Sequence, residues 1–409
     1  MSDRLFTPRF FVMCGFTFTV FLSEFQLLPT APFRIQALGG STFASGLFLG
    51  CLTYASATSA PFTGAVADRI GHRRALMIAS AVSFLCAIGY GLTSRYPVML
   101  ALVTVHGVFW SGLLSASAAY LTNLLPERRR AEGIGYWGMS SIAAVAVAPP
   151  LGFWIMQHGG WRWICISCAA LNALMGCIAF ALTDADVFGP TQGSVSTSNA
   201  RHASAPIIGA RHALATAYPA GADQRIRRLI EWRVMVLSVT LFLYSFGYGA
   251  ITSFSAMYAD ALGISPKSIY LTMLAIVILL TRPLSGALAD RIGYRRVFIP
   301  CLALIAIGLA LLASGSTLTW LVASAIFFGL GFGTAYPVFV AYVMRDISAT
   351  RRGAAFGAIL AAFDTGIGTG STTVGWLIQR FGFPAAFGAA ALLSAISLPY
   401  FLVVDRRLR

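Results

Sequence analysis

Twelve mostly apolar stretches, each near the roughly 20 residues a helix needs to cross a hydrocarbon core, divide this chain and leave lipid as the solvent for most of it. They are expected near Phe10–Leu28, Ser45–Ala65, Ala75–Leu92, Val98–Leu121, Gly135–Gln157 and Trp163–Leu182, and again near Val234–Tyr258, Ile269–Ala287, Val297–Ala313, Trp320–Val343, Ala354–Trp376 and Ala385–Val404. Of the 409 residues, 57% are hydrophobic and only 11% charged, against roughly 25% charged in an ordinary soluble domain. A soluble enzyme is thereby excluded. The first stretch carries Glu24 and lacks a small-residue cleavage site, so it reads as a retained helix rather than a signal peptide.

A formal net charge of +15 raises the question of nucleic acid binding, and the placement of the charge answers it. If the N-terminus is cytoplasmic, most of the 29 Lys+Arg fall in cytoplasmic segments; the other face holds Arg34, Arg95, Arg162, Lys267 and Arg380, and Arg282 lies within a span. This asymmetry is the positive-inside pattern, with both termini cytoplasmic and an even number of crossings. The basic balance therefore reports topology and some attraction to anionic lipid, and nucleic acid is not an expected partner. The seven cysteines fall within spans, and Cys165 and Cys168 share a helix face without forming a metal or redox motif. No cofactor or metal is expected.

Two landmarks recur at one spacing. Gly64, Asp68, Arg69, Gly71, Arg73 and Arg74 reappear 222 residues later as Gly286, Asp290, Arg291, Gly293, Arg295 and Arg296, and Arg129 and Arg130 reappear as Arg351 and Arg352. Each half thus holds six spans, an even number, so the halves are parallel repeats about an axis along the membrane normal. The domain division reads as residues 1–182, a cytoplasmic linker at 183–233 rich in Ser, Ala, Gly and Pro, and residues 234–409. Gln224 to Trp232, at the end of the linker, has the pattern of a short amphipathic surface helix.

The duplicated Gly-x-x-x-Asp-Arg-x-Gly-x-Arg-Arg loops resemble the signature of the major facilitator superfamily, and the resemblance extends over essentially the whole chain. It implies an all-α fold of twelve transmembrane helices in two six-helix bundles. It also implies that Asp68 faces the positive N-terminal end of the eleventh span, near Gly353 with Arg351 and Arg352 beside it, and that Asp290 mirrors this against the fifth. The loops would then form a gate; the alternative is a role in topology and folding alone. In the fifth span, Ala148, Pro149, Pro150 and Gly152 are similar to an antiporter element of that family, with Ala148 in place of a preferred Gly. The fourth-span arginine that many proton-coupled drug exporters carry is absent here.

Ionisable groups inside a bilayer are costly, and they are functional candidates by default. Four qualify: Glu24, His106, Arg282 and Asp364. Arg282 and Asp364 lie in the same half, in elements resembling those of sugar and siderophore exporters, and are expected to pair, either as a structural salt bridge or in coupling or substrate binding. Glu24 has no equivalent nearby cation in its own half, and a carboxyl so placed takes and gives up a proton more readily near neutral pH. It is the leading proton carrier. His106 titrates in a useful range, although a lone histidine on an apolar helix is more often satisfied by packing and one hydrogen bond. Trp110, Tyr244, Tyr248 and Tyr336 fall on spans that by family resemblance line the cavity, where amphipathic rings suit an aromatic or amphipathic substrate.

Three motifs fail on context. Gly133 to Gly138 spells G-x-G-x-x-G but opens a spanning helix with no strand before it, Asp364-Thr365-Gly366 has no second copy, and no Walker sequence powers the chain. The expected function is export of a drug, sugar or siderophore by alternating access with proton antiport, in the bacterial inner membrane, as a monomer surrounded by lipid. Proton-coupled uptake of a metabolite is the first alternative, and a non-transporting membrane receptor the second.

Overall fold

The computed structural model describes residues 5–126, 129–182, 232–345, 347 and 352–408, and every regular element among them is helical. In chain order these are α1 (Pro8–Leu27), α2 (Ala31–Ala37), α3 (Thr42–Ile70), α4 (His72–Leu92), α5 (Tyr96–Leu124), α6 (Arg130–Ala181), α7 (Trp232–Ala261), α8 (Ile269–Ile292), α9 (Tyr294–Ser314), α10 (Leu318–Met344) and α11 (Arg352–Leu408). Hydroxyl caps start the first long helices: Thr7 accepts from the Phe10 amide at 3.2 Å and Ser41 from the Ala44 amide at 3.1 Å, satisfying donors that have no partner within the helix. The short α2 is an element the hydropathy pattern did not distinguish.

Nine of these segments are long and apolar enough to cross a membrane, among the described residues. Two of them are long enough to cross twice. Helix α6 has 52 residues and α11 has 57, and a straight helix of 52 would run about 78 Å through a core about 30 Å thick. Each turns at a glycine with positive φ, Gly160 (φ 74°) and Gly382 (φ 80°), a backbone region open to glycine at no steric cost. Helix α3 is long enough at 29 residues but less apolar. The architecture is consistent with twelve crossings.

The backbone repeats as the sequence does. Gly71 and Gly293 cap α3 and α8 with nearly the same dihedrals, φ 93°, ψ 139° and φ 96°, ψ 137°. The turn glycines Gly160 and Gly382 stand at that same separation, and α4 and α9 have equal lengths of 21 residues. Packing follows the symmetry: between the halves, α3 lies on α11 and α6 on α8, the former contact being the more extensive. The expected linker, residues 183–231 of it, lies outside the described residues.

The α3–α11 seam is a glycine contact. A Cβ on Gly46 would sit 2.3 Å from the Ser371 carbonyl oxygen, and one on Gly50 would sit 2.3 Å from Thr372 Oγ1. Small residues let the backbones meet, and polar bonds then join the halves: Ser371 Oγ to the Gly46 carbonyl at 2.8 Å, Tyr54 Oη with Thr369 Oγ1 at 2.8 Å, and the Phe43 amide to Gln379 Oε1 at 3.3 Å. These contacts run toward the end of the bundle opposite the arginine-rich loops.

Candidate functional site

Two clusters of polar and aromatic groups lie at spanning depth, one in each half. In the first half, Glu24 on α1 and His106 on α5 meet with His106 Nε2 3.5 Å from Glu24 Oε2, their side chains only 3% and 5% exposed. Tyr90 Oη on α4 lies 3.3 Å from His106 Nδ1. Both ring nitrogens are therefore engaged, and Glu24 Oε1 is left without a hydrogen-bond partner among the described residues. A carboxylate and an imidazole in contact can share or exchange a proton between them.

Two glycines pack the helices that carry these groups against their neighbours. A Cβ on Gly107 would lie 2.3 Å from the Leu52 carbonyl oxygen, so α5 touches the backbone of α3 beside His106. A Cβ on Gly152 would lie 2.9 Å from the Gln26 carbonyl oxygen, which presses α6 onto α1 two residues beyond Glu24. The element Pro149, Pro150 and Gly152 thus supports the helix that carries the carboxylate. Trp110 stands one turn from His106 and meets Phe21 edge-on at 5.5 Å. Cys168 Sγ bonds the Ser23 carbonyl at 3.3 Å, and all seven cysteines are free.

The geometry corrects two expectations. Glu24 does have a basic partner in its own half, and His106 is not alone: α1 and α5 place the two side chains at one depth, 3.5 Å apart. Nor does Arg282 pair with Asp364. Ser56 Oγ, in the opposite half, donates to Asp364 Oδ2 at 3.3 Å. Asp364 lies on the α11 face of Gly368 and Ser371, which packs on α3, so its carboxylate is turned across the seam. Arg282, on α8, has Tyr336 and Tyr244 as its electrostatic neighbours instead.

Around Arg282 the second cluster is aromatic. Tyr248 stacks on Phe332 at 4.3 Å with 13° between planes, Phe332 on Phe363 at 6.0 Å, and Phe363 meets Tyr336 at 4.8 Å. Tyr244 meets Phe332 edge-on at 6.0 Å. Tyr248 and Phe363 pack against apolar cores of both halves, so this cluster reaches the seam.

The repeated loops make matching local contacts. Asp68 Oδ1 lies 3.6 Å from His72 Nε2, and Tyr294 Oη donates to Asp290 Oδ1 at 2.6 Å, each pair four residues apart. Arg73 Nη2 donates to the Phe180 carbonyl at 2.6 Å, and its counterpart Arg295 forms an ion pair with Asp405, Nε to Oδ2 at 3.0 Å. Each ties the start of one span to the end of the last span in its own half. Asp405 also accepts from Tyr342 Oη. The helices that the resemblance sets opposite Asp68 and Asp290 are neighbours of α3 and α8; Arg351 and the side chain of Arg352 lie outside the described residues. Tyr90, Ser56, Phe332, Phe363 and Asp405 were not singled out from the sequence. Only Asp405, a lone acid beside Arg406 and Arg407 in the last span, carried a signal that could have found it.

Comparison with known proteins agrees with this architecture. The family model described as Major Facilitator Superfamily matches residues 13–280 and again 237–409. The chain is 24% identical over 393 residues to the uncharacterized MFS-type transporter YhhS of Escherichia coli strain K12, covering 94% of this chain and 89% of that protein. YhhS of Salmonella typhi is likewise 24% identical over the same shares. Among solved structures, the nucleoside transporter NupG shares its fold with a TM-score of 0.70 at 16% identity, covering 98% of this chain and 100% of that one. The human organic anion transporter MFSD10 does so with a TM-score of 0.64 at 16% identity, covering 97% and 100%. The chain is a multi-pass membrane protein that belongs to the major facilitator superfamily of transporters, and it is not an enzyme.

Proposed function

We propose that this protein is a secondary active transporter that exports a small organic molecule by alternating access, with Glu24 and His106 together carrying the coupling proton. The observation that carries the reading is their contact at 3.5 Å with both side chains nearly sealed from solvent. Burying an ionisable pair at membrane depth is costly, which marks it as a functional candidate, and this one lies near where Gly152, in the antiporter-like element, packs on α1. The resemblance of that element to an antiporter element is what supports export by antiport. The cytoplasmic placement of both termini, the inner-membrane location and the division at residues 1–182, 183–233 and 234–409 belong to the same proposal and are supported by the distribution of arginine. Protons and a small-molecule substrate are the partners.

Uptake by proton symport is the second reading, favoured by the shared fold with NupG, which is named a nucleoside transporter. The test is proton movement in everted membrane vesicles, read with a pH-sensitive dye, when sugars, siderophores, nucleosides or aromatic anions are added. Substrate-triggered proton release from the lumen supports antiport, and proton entry supports symport. A response that survives Glu24→Gln sinks the assignment of the pair.

A further inference from the structure

We propose that Arg282, Tyr244 and Tyr336 form the binding site for the oxyanion of a small aromatic substrate whose ring lies on the Tyr248–Phe332–Phe363 shelf. The proposal deepens the transporter reading and rests on it for the site's place in the cycle. Three observations meet here. Arg282 is a permanently charged side chain at spanning depth, and no carboxylate pairs with it among the described residues; the groups around it are the phenols of Tyr336 and Tyr244. A cation in that setting is satisfied by an anion. Tyr244 is fully buried, and its hydroxyl has no hydrogen-bond partner among the described residues, so a donor is left unused on a ring that meets Phe332 edge-on at 6.0 Å. The third observation is the shelf: Tyr248 and Phe332 are stacked at 4.3 Å, and Phe363 continues the rings to the seam between the halves.

The chemistry selects one ligand class. A guanidinium presents a planar fork matched to the two oxygens of a carboxylate or sulfonate, and a phenol adds a third donor. Ring faces beyond it accept a planar apolar body. A neutral sugar would leave Arg282 uncompensated, and an organic cation would face it directly. The acid that the sequence set against Arg282 is turned away to Ser56, which leaves the guanidinium for a ligand.

The test uses the purified full-length chain in lipid nanodiscs and isothermal titration with benzoate and benzenesulfonate, against benzamide and benzenesulfonamide as neutral isosteres. Both anions are expected to bind about tenfold or more tightly than their amides. Arg282→Gln should abolish that preference, and Arg282→Lys should keep it with weaker binding because the charge remains and the fork is lost. Tyr244→Phe should weaken the anions about fivefold, one hydrogen bond's worth, leave the amides unchanged and raise the thermal stability of the ligand-free protein. Equal binding of anions and amides, no anion binding at millimolar concentration, or a preference that survives Arg282→Gln would each overturn the proposal. Anion binding that depends on Arg282 without any proton movement in vesicles would defeat the coupling proposal and leave this one standing; proton movement triggered only by neutral compounds would do the reverse.

Discussion

A missing methyl group at Gly107 sets how closely the helix that carries His106 approaches α3. With its Cβ position 2.3 Å from the Leu52 carbonyl oxygen, Gly107→Ala must push α5 off α3, and overpacking of this kind costs about 1–3 kcal/mol. The expected outcome is a lower unfolding temperature in detergent and weakened coupling, because His106 moves with the helix. Gly64 is the control. Nothing lies within 4 Å of its Cβ position, and Gly→Ala inside a helix stabilises by about 1 kcal/mol. A Gly64→Ala protein that folds at least as well yet transports poorly would place the requirement in the gate; unchanged transport would leave that loop its topological role. At this scale the sequence marked Glu24 and His106 as candidates but not as a pair. Spans that are apolar all round carry little periodicity to fix their rotation, so depth is readable and facing is not. The mistaken Arg282–Asp364 pairing has the same origin, since shared membership of a half says nothing of which way each side chain turns.

Between elements, the repeated loops act first as tethers. Arg73 holds the last turn of α6 through the Phe180 carbonyl and lies over the Phe180 ring at 5.4 Å, while Arg295 holds α11 through Asp405, a carboxylate only 2% exposed. Removing Arg295 leaves a buried charge short of its cation, whereas removing Arg73 releases a carbonyl near solvent. Arg295→Ala should therefore destabilise more, by about 1–3 kcal/mol once the partial exposure of the arginine is discounted, against about 1 kcal/mol for Arg73→Ala. Thermal unfolding of the two variants checks the order, and Asp405→Asn should recover part of the Arg295→Ala loss. Equal losses would mean that Asp405 is satisfied without Arg295. The loops themselves were legible, because a duplicated charged motif stands out against apolar sequence. The tether to Asp405 was not, as its partner lies more than a hundred residues away in the last span. The turns at Gly160 and Gly382 were bracketed by Arg162 and Arg380 but could be placed only from backbone dihedrals.

For the whole molecule, the seam between α3 and α11 is the part that alternating access must open. Gly46, Gly50 and Ser371 let the two backbones meet, and the Phe43 amide reaches Gln379. In a background without native cysteines, a short bifunctional maleimide joining cysteines introduced at Phe43 and Gln379 should stop transport, and the uncrosslinked double variant should remain active. Transport that continues with the link in place would mean that this end never opens. The long apolar helices, the repeat and the family were readable because lipid demands such helices and duplication leaves a fixed spacing. The seam was less so, as it depends on glycine contacts among the chain's 40 glycines, most of which look alike in sequence. The most direct test of the account is substrate flux in proteoliposomes with and without an imposed pH gradient, comparing wild type with Glu24→Gln and using the compound that triggers proton movement in vesicles. The Glu24→Gln protein is predicted to exchange substrate downhill but not to concentrate it. If it still drives substrate against its gradient, the Glu24–His106 pair does not carry the proton.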